Sequence, residues 1–133
     1  MERDSREERL ARLRPPDGVG LVLFGSRARG DARPDSDWDI AVLLGPGVPS
    51  KDHLEIRLRL MEDASAVVSG PVDVVILDDA SPGLRFQVAR EGRPLAMDQD
   101  DWTWFQTRAA SEYPDWKRFI EPFERWAIGG FVT

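Results

Sequence analysis

The stretch that most constrains the fold of this chain spans residues 21–44, with the sequence LVLFGSRARGDARPDSDWDIAVLL. An apolar run ends at Gly25-Ser26, and a polar loop then leads to Asp37 and Asp39, which open a second apolar run. Continuous apolar runs between turn signals are typical of buried strands. The stretch therefore predicts a strand, a glycine turn, a loop and an acidic strand in succession.

The turn and the acids fit one chemistry. Asp37 and Asp39 are two residues apart, so a strand would project both carboxylates from the same face. Adjacent carboxylates raise each other's pKa, and Mg²⁺ relieves this by binding carboxylate oxygens together with substrate phosphates. Gly25 allows close approach of the backbone, and successive amides with the Ser26 hydroxyl can cradle phosphate oxygens. The combination predicts a nucleoside triphosphate site.

Residues 25–30, GSRARG, followed by SDWD at 36–39, resemble the GS-x-A-R-G…S-D-x-D signature of the nucleotidyltransferase superfamily. The similarity is greatest to the minimal nucleotidyltransferase branch, whose members often serve as antitoxins beside HEPN toxins. It covers residues 19–95 approximately. The resemblance implies an α/β (α+β) nucleotidyltransferase fold, with a small mixed β-sheet flanked by helices.

The resemblance also implies roles for individual acids. Asp37 and Asp39 would hold divalent metal, with two Mg²⁺ ions expected. The third acid of the family lies on a following strand in a V-D-x-V setting, which Asp73 matches as metal ligand and candidate base for the incoming hydroxyl. The alternative for Asp73 is a salt bridge to an arginine.

The same resemblance assigns nucleotide binding to Gly25, Ser26 and Arg29. Arg29 matches the fixed arginine of the family and can neutralise phosphate charge, although it could instead pair with Asp31 or Asp35. Arg27, at the family's variable position, is open to the same two interpretations. Ser36 could cap a turn, orient Asp37 or contact the nucleotide.

The implied function is transfer of AMP from ATP to a tyrosine of a cognate HEPN ribonuclease, so that the chain acts as the antitoxin of a toxin–antitoxin pair and forms an oligomer with its partner. Two alternatives stay open. One is a binding module that masks its partner without catalysis; the other is a nucleotidyltransferase for a small, aminoglycoside-like acceptor, which the lack of a large second domain disfavours.

Composition narrows the class of protein. With 133 residues, we expect a single domain, with a core at about 19–96 and a helical extension at about 101–128. The net charge of −6 argues against a nucleic-acid-binding surface. There is no cysteine, no secretory signal and no membrane-spanning apolar run, so we expect a cytoplasmic protein without a membrane partner. The one histidine, His53, cannot supply a zinc site or a serine–histidine triad, and we expect it at the surface.

Local patterns predict the remaining elements: helices at 5–14, 51–68 and 82–91, and strands at 19–24, 37–44, 72–77 and 93–96. The first helix has a thin apolar stripe, so we expect it on the surface. Residues 54–60 alternate as a strand would, but eighteen residues without a turn signal favour a helix.

Most aromatic residues lie between Trp102 and Phe131. We expect two helices there, at 101–113 and 115–126, separated at Pro114, and a loose tail at 129–133. The region could be a core lid, a partner surface or a base-stacking platform; we expect that part of it contacts a partner protein. For Tyr113 we expect packing rather than modification.

Overall fold

The computed structural model describes residues 5–15 and 17–127, with side chains described as far as residue 113. The helices and strands of these residues are α1 (Ser5–Leu10), β1 (Gly20–Phe24), α2 (Ser26–Arg29), β2 (Trp38–Leu43), α3 (His53–Val68), β3 (Val72–Ile76), α4 (Pro82–Glu91), β4 (Arg93–Met97) and α5 (Gln99–Ala127). The order and approximate bounds predicted for residues 19–97 are confirmed.

The four strands form one mixed sheet in the order β3-β2-β1-β4. β1 is antiparallel to β2 and β4, whereas β2 and β3 are parallel. A parallel pair requires a crossover connection, and α3 provides it. The register places Phe24 beside Asp39, and Asp39 beside Asp73. The end of β1 and the beginnings of β2 and β3 therefore meet at one edge of the sheet.

One face of the sheet, which we call the α1/α3 face, is covered by α1 and α3. Alternate strand residues point into it, because successive side chains of a strand project to opposite sides. The buried strand residues of this face are Leu21, Leu23, Trp38, Ile40, Val42, Val72, Val74, Ile76 and Leu95. From the helices, Leu10, Leu60, Ala64 and Val68 complete a continuous apolar core.

The opposite face, which we call the α4/α5 face, is covered by α4 and α5. Its buried residues are Val22, Phe24, Ala41, Leu77, Val88, Ala89, Trp102, Phe105 and Ala109. Asp39 is two residues before Ala41, and Asp73 is two before Val75, which packs against this cluster. By strand alternation both aspartates belong to the α4/α5 face.

The ambiguous segment before β3 is the helix α3, as predicted. Its buried side is formed by Leu60, Ala64 and Val68, which recur at four-residue intervals. Leu54 and Leu58, which belong to the strand-like alternation, are 63% and 52% exposed. The alternation therefore has no structural counterpart, because only every second apolar residue of that stretch meets the sheet.

The expectation that the N-terminal helix lies on the surface is wrong. Leu10 is fully buried in the core of the α1/α3 face, and Glu7 is 4% exposed. A buried carboxylate requires a partner, and Glu7 forms an ion pair with Arg93 of β4. One leucine and one satisfied charge are enough to bury one side of this short helix, while Ser5, Glu8 and Arg9 are exposed.

The expectation of two C-terminal helices separated at Pro114 is also wrong, because α5 continues from Gln99 to Ala127. A proline inside a helix costs about 3 kcal/mol through one lost hydrogen bond and a displaced carbonyl, but the turns on either side can still form. The first turns of α5 are fixed by Trp102 and Phe105 in the core.

Part of the aromatic region lies outside the described residues: the side chains of Trp116, Phe119, Phe123 and Trp126, and the tail at 129–133. The hypothesis of a partner surface there stays a prediction. Tyr113 stacks on Phe86 with ring centroids 3.8 Å apart, which is the packing role expected for it. No helix among the described residues has the length and apolarity to cross a bilayer.

The expectation that His53 lies at the surface is wrong. It is 8% exposed, and its Nδ1 lies 2.7 Å from Oδ2 of Asp79. No local pattern indicates this contact, because the two residues are brought together only when α3 packs across β3.

Candidate active site

A cleft of about 540 Å³ opens where the end of β1 meets the beginnings of β2 and β3. All seven residues proposed from the sequence line it, together with four others. The lining residues are Phe24, Gly25, Ser26, Arg29, Ser36, Asp37, Asp39, Asp73, Val75, Leu84 and Gln87. The sheet register brings three separated segments of the chain together, and Leu84 and Gln87 of α4 add a fourth segment to the cleft.

The turn between β1 and α2 requires glycine for two reasons. Gly25 has a φ of 74°, a region that residues with a side chain rarely adopt. A Cβ at this position would also overlap Oδ2 of Asp39. Because Gly25 has no side chain, the Asp39 carboxylate lies directly against the turn.

The surroundings of Asp39 disfavour its negative charge. Its burial raises the pKa of the carboxyl above its ordinary value, and the neighbouring charges of Asp73 and Asp37 raise it further. The folded protein thus disfavours negative charge at the position where the sequence predicts a metal ligand. A divalent cation would relieve both the repulsion and the cost of burial.

The carboxylates do not complete a metal site alone. Among the residues described, no three His, Cys, Asp or Glu side chains are arranged to hold a metal ion. Mg²⁺ is commonly bound by one or two carboxylates together with substrate phosphates rather than by an all-protein cage. The donor set of Asp37, Asp39 and Asp73 fits this mode of binding, in which the nucleotide supplies the missing oxygens.

Asp73 lies near the start of the edge strand β3, with its side chain 54% exposed. The alternative weighed from the sequence is present: Nη2 of Arg57 lies 3.6 Å from Oδ1 of Asp73. Nε of Arg57 donates a hydrogen bond to the carbonyl oxygen of Val74 at 2.7 Å. Asp73 therefore has an arginine partner and also faces the cleft.

Arg29 lines the cleft and also forms ion pairs, one of them with Asp31, which is one of the two partners predicted as alternatives to phosphate binding. Its Nε donates to Oδ2 of Asp31 at 3.3 Å, and its Nη1 donates to Oε1 of Glu91 at 3.2 Å. Glu91, at the end of α4, was not among the predicted partners.

Arg27 and Ser36 organise the loop before β2. Nη2 of Arg27 donates to the carbonyl oxygen of Ser36 at 2.9 Å, and the guanidinium lies 4.5 Å from the centroid of the Trp38 ring. The hydroxyl of Ser36 accepts a hydrogen bond from the backbone N–H of Arg33 at 2.8 Å. The turn-capping role considered for Ser36 is present, and the residue also lines the cleft.

One side of the site is formed by α4, which the sequence motifs do not indicate. Leu84, Gln87 and Glu91 are spaced three and four residues apart, so they lie on one side of that helix. Leu84 and Gln87 line the cleft, and Glu91 holds Arg29. The helical spacing of these residues is visible in the sequence, but which side of α4 meets the cleft depends on its packing against the sheet.

Comparison with known proteins agrees with the geometry. Residues 17–101 match the sequence model of the family described as "Polymerase beta, Nucleotidyltransferase". The protein adenylyltransferase MntA of Aphanizomenon flos-aquae is 31% identical, over 81% of this chain and 82% of that protein. MntA of Shewanella oneidensis is 33% identical, over 70% of this chain and 64% of that protein.

Solved structures of similar fold come from toxin–antitoxin complexes. One, a toxin–antitoxin with AMP-PNP, has a TM-score of 0.72 at 30% identity and covers 96% of both chains. Another contains the tri-AMPylated Shewanella oneidensis HEPN toxin with an MNT antitoxin, with a TM-score of 0.69 at 27% identity and 96% coverage of both chains. The family match spans most of the chain, and the alignment with MntA of Aphanizomenon flos-aquae covers 81% of it. This chain therefore belongs to the polymerase beta nucleotidyltransferase family and is a homologue of the MntA protein adenylyltransferases.

Proposed function

We propose that this chain is a Mg²⁺-dependent adenylyltransferase that moves AMP from ATP to a tyrosine hydroxyl of a HEPN-domain toxin and thereby acts as its antitoxin. The observation that carries the proposal is the meeting of Asp37, Asp39 and Asp73 beneath the Gly25 turn in a single cleft. The activity named for the MntA relatives, and the AMPylated toxin in one related structure, support it.

The nucleotide would lie with its triphosphate toward α2. In this arrangement the turn amides after Gly25, the Ser26 hydroxyl and the Arg29 guanidinium bind the β- and γ-phosphates. Ser36, held by its bond to the Arg33 N–H, fixes the loop that presents Asp37. The α-phosphate is then directed toward the three carboxylates.

Asp37, Asp39 and Asp73 would hold two Mg²⁺ ions in the presence of the nucleotide. Bound ions of this kind stabilise charge on the attacking and leaving oxygens of an in-line displacement. The raised pKa of Asp39 supports this assignment, since the folded chain places an ionisable group where its charge is unfavourable without a cation.

The acceptor would approach from the side of β3. The tyrosine oxygen forms a bond to the α-phosphorus, and the bond from that phosphorus to the oxygen leading to the β-phosphate breaks. Pyrophosphate leaves, AMP stays on the tyrosine, and Asp73 takes the hydroxyl proton. Asp73 suits this role because it lies on an edge strand and is more than half exposed, so a macromolecular acceptor can reach it.

The test uses ATP labelled at either the α- or the γ-phosphate, incubated with Mg²⁺, this protein and a HEPN-domain partner. We expect label on the partner only from the α position, and none when the acceptor tyrosines are replaced by phenylalanine. Omission of Mg²⁺ should abolish transfer.

An Asp39→Asn variant is the matched control, because it removes one charge with almost no change of shape. Transfer from the γ position would mean a kinase and would overturn the mechanism. A stable complex without label, in which Asp39→Asn still neutralises the toxin, would replace catalysis with inhibition by binding alone.

A further inference from the structure

The guanidinium of Arg29 is bonded by two carboxylates that differ in their exposure and in the nitrogen that they engage. Asp31 bonds Nε, and Glu91 bonds Nη1. Arg29 lines the cleft, whereas neither carboxylate does, and its Nη2 donates to no atom of the described residues. Among the contacts of the described residues, Arg29 therefore has two engaged nitrogens, Nε and Nη1, and one, Nη2, that donates no hydrogen bond.

Glu91 is mounted rigidly. Its side chain is 21% exposed, and Oε1 accepts from Nε2 of Gln87 at 3.0 Å as well as from Arg29. It ends α4 at a point where the following Gly92 lies so close to β1 that a Cβ there would lie 2.7 Å from Cγ1 of Val22. An acid in the last turn of a helix opposes the helix dipole, so this glutamate is unfavourable for α4 and is offset by Arg29.

Asp31 is mounted loosely. It lies in the loop after α2, and its side chain is 62% exposed. Among the described residues, Arg29 is the only side chain that bonds the Asp31 carboxylate. Exposed ion pairs of this kind contribute little and exchange readily with other partners.

The two nitrogens also differ in their hydrogens. Nε of arginine carries one hydrogen, so Asp31 and a phosphate oxygen compete for it. Nη1 carries two hydrogens, so it can bond Glu91 and a phosphate oxygen together. Bidentate binding of phosphate by the Nε and Nη2 edge of Arg29 therefore requires Asp31 to leave but allows Glu91 to stay.

From these contacts we propose that Glu91 is a positioning residue, which holds Arg29 at the cleft while the triphosphate binds, and that Asp31 is a competitor that yields Nε of Arg29 to a phosphate oxygen. The inference rests on the proposed function, since it assumes that the cleft binds ATP. It makes two neighbouring acids act on nucleotide affinity in opposite directions.

The experiment is calorimetric titration with AMP-PNP and with AMP, in the presence of Mg²⁺, of the parent protein and the variants Asp31→Asn and Glu91→Gln. Asp31→Asn should bind AMP-PNP roughly two- to fivefold more tightly, the range expected for removal of an exposed competing pair. Glu91→Gln should bind it roughly three- to tenfold more weakly, since the charged acceptor that orients Arg29 is lost. AMP, which lacks the β- and γ-phosphates, should bind all three proteins equally.

The opposite sign separates this inference from general electrostatics. Both substitutions remove a negative charge near an anionic ligand, so a purely electrostatic effect would tighten binding in both variants and overturn the proposal. In an Arg29→Met background both effects should disappear, and their persistence there would also refute it. Unfolding temperatures of the variants, measured alongside, show that the folded proteins are being compared.

The outcomes also distinguish the inference from the proposed function. A parent protein that binds neither AMP-PNP nor AMP would refute the proposed function, and the inference with it. A parent that binds AMP-PNP while both variants match it would leave the proposed function intact and refute the roles of Asp31 and Glu91.

Discussion

The two faces of the sheet are built from the same strands but from different kinds of residue. On the α1/α3 face, β3 contributes Val72, Val74 and Ile76, all buried beneath α3. On the α4/α5 face the same strand contributes Asp73 and Val75, which both line the cleft, and Val75 also packs against the core. The alternation of a strand thus allows five residues to supply a continuous core on one side and a reactive group on the other.

The comparison explains how a small domain can carry three close carboxylates. On the α1/α3 face the buried residues of β1, β2 and β3 are all apolar, so their burial can offset the unfavourable charge on the other face. On the α4/α5 face, β1 contributes the buried apolar residues Val22 and Phe24. Asp39 lies beside Phe24 near the start of β2, and Asp73 lies beside Asp39 near the start of β3. Substitutions on the two faces should therefore separate stability from activity.

The largest effect on activity is expected from Asp39→Asn. Adenylyl transfer should fall roughly a thousandfold or more, since several kcal/mol of transition-state charge stabilisation is lost with a metal ligand. The unfolding temperature without Mg²⁺ should be unchanged or higher. Its raised pKa means that the folded state disfavours the ionised carboxyl, so removal of the charge removes that cost.

The matched substitution on the other face is Ile40→Val, at the neighbouring residue of β2. Ile40 is 3% exposed, so we expect a loss of about 1 kcal/mol in the free energy of unfolding with normal transfer by the folded protein. Labelled-ATP assays and thermal unfolding check both variants. If Ile40→Val impaired transfer as strongly as Asp39→Asn, the division of roles between the faces would be wrong.

The second prediction concerns the turn that lies against Asp39. Gly25→Ala should both abolish most activity and destabilise the fold by about 1–3 kcal/mol, because a Cβ would overlap the carboxylate and φ is positive. Gly30→Ala is the control: its φ is 84°, but a Cβ there would meet no atom within 4 Å. It should cost about 1 kcal/mol for backbone strain alone and leave transfer largely intact.

The third prediction uses two adjacent valines of β3. Val74→Ala, on the α1/α3 face, should lower the free energy of unfolding by about 2 kcal/mol and leave kcat/KM unchanged. Val75→Ala, at the cleft wall, should cost less than about 1 kcal/mol and lower kcat/KM roughly three- to tenfold. Equal effects of the two on both quantities would show that alternation does not separate core from site.

Much of this site could be predicted from the sequence because its parts are local. Gly25 and Ser26 end one apolar run and Asp39 begins the next, and the antiparallel pairing of those runs brings them together. Asp73 required the family resemblance, since its distance from Asp39 is set by the α3 crossover and not by spacing. Even so, all seven proposed residues line one cleft.

What could not be predicted depends on contacts between elements far apart in the chain. Glu7 is buried because Arg93, 86 residues later, neutralises it. Glu91 reaches Arg29 across 62 residues. Neither ion pair can be recognised in the sequence from periodicity or from a motif, because each consists of a single charged residue on each of two distant elements. Pro114 was overestimated as a helix terminator because its cost is finite and the helix extends on both sides of it.

The smallest effect is expected at the end of the sheet away from the cleft, where His53 begins α3. The hydrogen bond that Nδ1 of His53 donates to Asp79, together with the charge of that carboxylate, raises the pKa of His53 above 6.5 despite its burial. Protonated His53 therefore stabilises the folded state fully below pH 6.5, and this contribution is lost as pH rises through the raised pKa of the folded protein.

Asp79→Asn tests this contribution. Its unfolding temperature should fall furthest below that of the parent at slightly acidic pH, and the gap should narrow as the pH rises above neutrality. The comparison variant is Asp78→Asn. Asp78 accepts the backbone N–H groups of Leu44 and Gly45 at 2.8 Å, and its charge raises the pKa of His53 less than Asp79 does, so the gap of this variant should depend on pH less strongly. A gap for Asp79→Asn that stayed constant with pH would mean that titration of His53 does not contribute to the stability of the fold.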